Sequence, residues 1–141
     1  MRVPDIVIDT NVFVAALRST RGVSYKLLRQ IGQGDFEIYL SVPLVLEYEY
    51  AVLKQLSEIG LRETDVADIL DYICAAGHHK EVSFLWRPHV KDPGDDMIME
   101  LAFAAGCDWI VTYNRKDFVG AMELGVGVVT PKEFMERIDL I

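Results

Sequence analysis

Cysteine, histidine and basic residues are all scarce in this chain, and each shortage removes a class of explanation. There are 141 residues and only two cysteines, Cys74 and Cys107. Each sits inside an apolar helical pattern, so they read as reduced thiols acting as small hydrophobes rather than as a disulfide framework. Cys74, His78, His79, His89 and Cys107 do not supply four ligands at the spacing a structural zinc site needs. Fourteen Lys and Arg against twenty-two Asp and Glu leave a net charge of −8. Such a surface repels a phosphate backbone overall, which argues against broad electrostatic binding of nucleic acid. The longest nearly uncharged stretches, 38–46 and 101–107, fall short of the roughly 20 apolar residues that span a bilayer. The N-terminus reaches Asp5 before any apolar run, so neither a membrane span nor a signal peptide is expected and the expected location is the cytoplasm. No Walker loop, GxGxxG turn, GxSxG elbow or HExxH pair occurs, so nucleotide hydrolysis, dinucleotide binding, serine chemistry and zinc proteolysis have no support.

What is present suits one packed unit, expected to be a single domain over residues 1–141. Hydrophobic residues make up 51% of the chain and charged ones 26%, with ten glycines, five prolines and no repeat. Short β-rich runs alternate with longer helical patterns, which predicts an α/β fold: a parallel sheet covered by helices. The first strand is Ile6-Val7-Ile8, continuous and β-branched as in a strand buried on both faces, and it stops at Asp9-Thr10-Asn11. Helices are expected over Val12 to Leu17 and Val23 to Ile31, then a strand over Glu37 to Leu40. Ser41 is an N-cap, Pro43 lies in the first turn, and Leu44, Val45, Tyr48, Ala51, Val52 and Leu56 share one face of the next helix. Glu47 and Glu49 fall at opposite margins of that face, and periodicity does not choose between them. Val66, Ile69, Leu70 and Ile73 mark another helix, ending at Gly77.

From His78 to Asp95 the pattern is irregular, and so long a connection predicts a binding loop near the site. Asp95-Asp96 should cap a helix through Ala105, followed by a strand at Ile110 to Thr112. A helical turn near Ala121 to Leu124, a strand at Val126 to Val129 and a helix from Pro131 complete the chain.

Ligands of open parallel sheets bind beyond the carboxyl ends of the strands. Those ends present Asp9-Thr10-Asn11, Ser41 with the helix carrying the glutamates, and Thr112-Tyr113-Asn114. Right-handed connections bring Asp95 and Asp96 to the same edge, so three or four carboxylates surround one pocket. Clustered carboxylates without His or Cys suit hard ions such as Mg²⁺ or Mn²⁺, and such ions serve phosphodiester hydrolysis by polarising phosphoryl oxygens and activating water.

These segments together resemble the PIN-domain ribonucleases, and more closely the VapC-like toxins of toxin–antitoxin pairs. The resemblance spans nearly the whole chain. Its carriers are Ile6 to Phe13, Ser41 to Leu53, Asp92-Pro93-Gly94-Asp95-Asp96 and Ile110 to Phe118, in that order. It implies a three-layer α/β/α fold with a central parallel sheet. It also implies Mg²⁺- or Mn²⁺-dependent cleavage of RNA to 3′-hydroxyl and 5′-phosphate ends, an antitoxin partner that inserts a segment into the acidic groove, and a homodimer. Asp9, Glu47 and Asp96 take the catalytic, metal-holding positions, with Glu47 preferred over Glu49 and Asp96 over Asp95. A fourth carboxylate is common where this chain has Asn114, so either Asp117 substitutes as a metal ligand or a second metal is held weakly.

Thr10, Asn11, Thr112 and Asn114 are candidates for supporting the acids or touching phosphate. Residues 1–34 carry five basic and two acidic side chains, hence +3, which leaves −11 for the remainder. Arg18, Arg21, Arg115 and Lys116 are therefore candidate phosphate guides on an otherwise acidic surface. Each residue also has a plainer role: Asp9 and Asp96 as helix caps, the basic residues as solvated charge, Trp86 and Trp109 as core or dimer contacts, and the Val66 to Ile73 stripe as core or dimer face. Two rival functions are a PIN-like binding module whose site has decayed and a phosphatase using Asp9 as nucleophile. The second lacks a further Asp two residues on, where Asn11 stands.

Overall fold

The computed structural model describes residues 2–82 and 93–141. Five short strands form one parallel sheet in the order β3-β2-β1-β4-β5: β1 Asp5–Ile8, β2 Glu37–Leu40, β3 His78–His79, β4 Trp109–Val111 and β5 Gly127–Val129. The hydrophobic run of β1 explains its central place. Ile6 and Val7 are fully buried, which only a strand covered on both faces achieves.

The helices are α1 Thr10–Arg18, α2 Val23–Gln30, α3 Val42–Leu53, α4 Leu56–Ile59, α5 Glu63–Ala76, α6 Pro93–Ala104 and α7 Pro131–Arg137, with a kinked 3₁₀ helix over Arg115–Leu124. The chain adds strands on one side of β1 and then returns to add β4 and β5 on the other. Right-handed connections therefore lay α1 to α5 over one face and α6 with the 3₁₀ helix over the other, giving the three-layer α/β/α sandwich. α6 lies in the returning connection from β3 to β4 and the 3₁₀ helix in the next one, from β4 to β5, and they pack on each other.

Local chemistry sets most boundaries. The Ser41 hydroxyl accepts from the Leu44 N–H at 3.3 Å, with Pro43 in the first turn of α3. Thr130 and Glu133 form a reciprocal capping box on α7. Gly106 ends the α6 segment at φ +66°, a conformation that strains any residue with a β-carbon. Phe13, Phe36, Phe118 and Phe134 are fully buried, and truncating any one to Ala would cost about 3–5 kcal/mol.

Several boundaries differ from expectation. The helix expected to reach Leu56 ends at Leu53, and α4 follows as a separate turn closed by Gly60. The irregular segment contains a two-residue edge strand at His78–His79, which pairs with Tyr39 and Leu40 and is too short to leave a period. α6 starts earlier than expected, at Pro93, whose fixed φ suits a first helical position, so Asp95 and Asp96 fall inside its first turn rather than at the cap position. The fourth strand is shifted one residue, to Trp109–Val111, and the turn near Ala121 is the end of a 3₁₀ helix that begins at Arg115. Trp86, His89 and Asp92 lie outside the described residues. Val66, Leu70 and Ile73 are buried, which assigns that stripe to the core. Among the described residues, no helix is long and apolar enough to cross a membrane.

Candidate active site at the carboxyl edge of the sheet

The strand order reverses direction between β1 and β4, and Asp9 and Thr112 are the residues immediately following those two strands. A crevice opens at such a point because neighbouring connections leave on opposite faces. The Asp9 N–H donates to the Val111 carbonyl at 2.9 Å, and the Thr112 N–H to that of Val129 at 2.9 Å, so both residues are fixed by the ladder. Asp9 occupies the N-cap position of α1, and its carbonyl accepts from Val12 and Phe13, yet its carboxylate makes no capping bond. Instead, Thr112 Oγ1 donates to Asp9 Oδ2 at 2.7 Å, while the same Oγ1 accepts from the Asn114 N–H at 3.0 Å. Asp9 thus holds the cap position through its backbone, while its side chain is engaged by Thr112.

Asp9 is only 6% exposed, and its pKa is pushed up to about 6. Burial is the main cause. Hydrogen bonds from Thr112 and the Thr10 backbone oppose it, and the charges of Glu47 and Asp117 add to it. A buried carboxylate facing two more carboxylates is an arrangement that a cation would relieve.

Glu47 comes from the second turn of α3. Tyr48, the next residue, is buried, stacks on Phe13 at 4.6 Å, and donates its hydroxyl to the Ile8 carbonyl at the end of β1. That anchor sets the rotation of α3. Glu47 then faces α1 and accepts from the Thr10 hydroxyl, while Glu49 is exposed. Each of the two acids therefore has one oxygen held by a threonine: Asp9 by Thr112, Glu47 by Thr10.

A cleft of about 430 Å³ opens over these groups, lined by Asp9, Thr10, Asn11, Val14, Ala15, Arg18, Glu47, Ala51, Gln55, Asn114 and Asp117. Of the residues read from sequence, it brings together Asp9, Glu47 and Asp117 with Asn11, Asn114 and Arg18. Thr112 is fully buried beneath it, and Asp96 is 8% exposed in the first turn of α6 without lining it. Arg115 is placed elsewhere: its Nη1 pairs with Glu133 at 3.1 Å, so it is tied to α7 rather than turned to the cleft. Arg21 and Lys116 are exposed and do not line the cleft. Gln55 was missed by sequence reasoning, since nothing in its neighbourhood carries a motif. Its only signal is an i+8 spacing from Glu47.

The donor set is all hard oxygen and fits a hard divalent ion better than a soft metal. Among the described residues, no three carboxylate, imidazole or thiol groups close around a single ion position, so Asp9, Glu47, Asp96 and Asp117 would have to draw inward on a metal.

A PIN domain profile matches residues 5–116. The chain belongs to the PIN-domain family. Proteins with this domain are generally nucleases that use divalent metals. No curated protein matches the sequence. Among solved structures, a chain of VapBC2 from Rickettsia felis, crystallised bound to a DNA fragment from its promoter, is similar with a TM-score of 0.60 and 17% identity, covering 88% of this chain and 96% of that one. At that identity the likeness concerns the fold, which in this PIN-domain chain and its neighbour is shared over nearly their full lengths.

Proposed function

We propose that this PIN-domain protein is a Mg²⁺- or Mn²⁺-dependent endoribonuclease, cutting RNA to 3′-hydroxyl and 5′-phosphate ends and acting as the toxin of a toxin–antitoxin pair. The observation that carries the reading is Asp9: buried, its side chain held by Thr112 rather than by a capping bond, and facing Glu47 and Asp117 in one cleft. Asp9, Glu47 and Asp96 hold the metal, with Asp117 at the margin where Asn114 leaves a carboxylate position neutral. A bound divalent ion supplies polarisation of the phosphodiester and lowers the pKa of the attacking water. The chain's own residues position the acids: Thr112 and Thr10 fix one oxygen of each and leave the other to face the cleft. Asn114 and Asn11 offer neutral amides to phosphate oxygens, and Arg18 supplies the cation at the rim. The similarity to a VapBC2 chain supports a small antitoxin as the partner, and that partner inserts a segment into the acidic cleft. An exposed apolar stripe on α3 next to the cleft, Val42, Leu46, Tyr50 and Leu53, is available to such a partner or to a second copy.

The test is cleavage of a structured RNA in Mg²⁺, Mn²⁺ or EDTA, beside Asp9→Asn and Asp96→Asn variants shown folded by circular dichroism. Metal-dependent cutting lost in both variants is expected. Absence of cutting by partner-free protein on several RNAs in every metal would overturn the reading in favour of a binding module, the role that Asn114 in place of an acid would then reflect.

A further inference from the structure

The cleft does not end at the acids. It runs between α1 and α3, whose N-termini both lie at the carboxyl edge of the sheet. Along α1 its lining passes from Asp9 through Val14 and Ala15 to Arg18, and along α3 from Glu47 through Ala51 and on to Gln55, the residue just before α4. At about 1.5 Å per residue, Arg18 and Gln55 lie roughly 12 Å from the acids. The floor between is small and apolar, as a flat ring requires, and the far end carries one amide and one cation. Gln55 stands on a fixed stem: its N–H donates to the Val52 carbonyl at 3.0 Å, and its own carbonyl accepts from Glu58 and Ile59, each at 3.0 Å. Glu58 in turn approaches Arg18 at 3.8 Å, keeping that guanidinium at the rim.

We infer that this end of the cleft is a nucleobase subsite, in which Gln55 reads the edge of an adenine lying over Ala15 and Ala51 and Arg18 meets an adjoining phosphate. The inference rests on the ribonuclease reading above and adds to it a base preference at one position beside the cut. A carboxamide presents one acceptor and one donor side by side, which complements the N6 donor and N7 acceptor of adenine. Guanine offers two acceptors on the same edge and is mismatched. Unpaired RNA exposes that edge, so the substrate segment is single-stranded.

The experiment has two arms. In the first, cut sites in an RNA pool are mapped for wild type, Gln55→Ala and Gln55→Glu in Mn²⁺. In the second, the same three proteins, with folding checked by circular dichroism, are titrated in Ca²⁺ with four pentaribonucleotides differing in one central base. The wild type is expected to favour adenine over guanine roughly tenfold in both arms. Gln55→Ala should level the four bases, and Gln55→Glu, an acceptor only, should shift preference to cytosine with its N4 donor. Cutting with a pattern that Gln55→Ala leaves intact would overturn the subsite while the nuclease stands. Adenine-selective binding lost in Gln55→Ala, without cutting by any protein, would retain the subsite and overturn the nuclease. Equal affinity for all four bases in wild type overturns the subsite.

Discussion

Asp5 and Asp9 stand at opposite ends of β1, and the fold treats them in opposite ways. At the amino end, Arg2 bridges Asp5 at 3.1 Å and Asp108 at 2.9 Å, and the Asp5 N–H donates to Asp108 at 2.9 Å. Those bonds hold the Asp108 carboxyl below its ordinary pKa, the Arg2 hydrogen bond first among the causes. At the carboxyl end, Asp9 is buried with no cation beside it among the described residues, supported by a neutral hydroxyl and crowded by Glu47 and Asp117. One end spends its cation on stability. The other leaves a charge deficit in place, which is how a site prepares to bind a cation.

The sharpest way to break this contrast is to neutralise both ends. Asp9→Asn should abolish RNA cleavage, a loss of at least about a hundredfold given a ligand removed from the metal. It should also raise metal-free stability at neutral pH by about 2–3 kcal/mol, the value of a shift from 3.8 to about 6. Asp108→Asn should leave cleavage intact and cost at most about 1 kcal/mol, because the Arg2 pair is partly exposed. Urea titration and a cleavage assay on both variants measure this. A destabilising Asp9→Asn would remove the deficit from the argument.

The pH dependence follows with a definite sign. Asp9 binds its proton more tightly in the native state, pKa about 6, than unfolded, near 3.8. Its contribution therefore makes the metal-free protein lose stability as pH rises from about 4 to about 6, with no further change above. Mn²⁺ should offset that loss, so the rise in Tm on adding metal should be large at pH 7.5 and fade below pH 6, where protons compete for Asp9. An increment independent of pH would place the ion elsewhere.

Intermediate effects are expected from the two threonines. Thr112→Val removes the main bond that opposes Asp9's upward shift, so the acidic limb of the cleavage pH profile should move to higher pH. Thr10→Val frees Glu47 and should weaken Mn²⁺ binding about tenfold by calorimetry, with Thr10→Ser restoring it.

How far the site was legible follows from the same residues. Asp9 and Glu47 belong to motifs of local sequence, and the burial of Ile6 and Val7 was written in their β-branched run. What the sequence could not carry was the three-dimensional partner of each polar group. Spacing alone fits Asp9 to a cap as well as to a site, and the motifs that favour the site do not show that Thr112, distant in sequence, holds its carboxylate. Gln55 lay beyond the end of a helix whose boundary periodicity overshot. The edge strand β3 has only two residues, so its existence depends on pairing with β2 rather than on any pattern of its own.

Arg115 makes the same point and carries the smallest expected effect. Local sequence put it beside Asn114 and the cleft, but Glu133 of the α7 capping box takes its guanidinium at 3.1 and 3.2 Å. Like Arg2, it is a cation already committed to a carboxylate. Arg115→Glu should therefore change RNA cleavage by no more than about twofold, and its repulsion from Glu133 should lower stability by less than about 1 kcal/mol, since the pair is solvent-exposed. Arg18 lines the cleft and meets Glu58 only at 3.8 Å, a looser tie than that of Arg115, so Arg18→Glu should reduce cleavage more and flatten its dependence on salt. Equal losses in the two variants, measured across a salt series, would mean that the Glu133 pair opens to serve RNA, and that the division between committed and available charge does not extend to this rim.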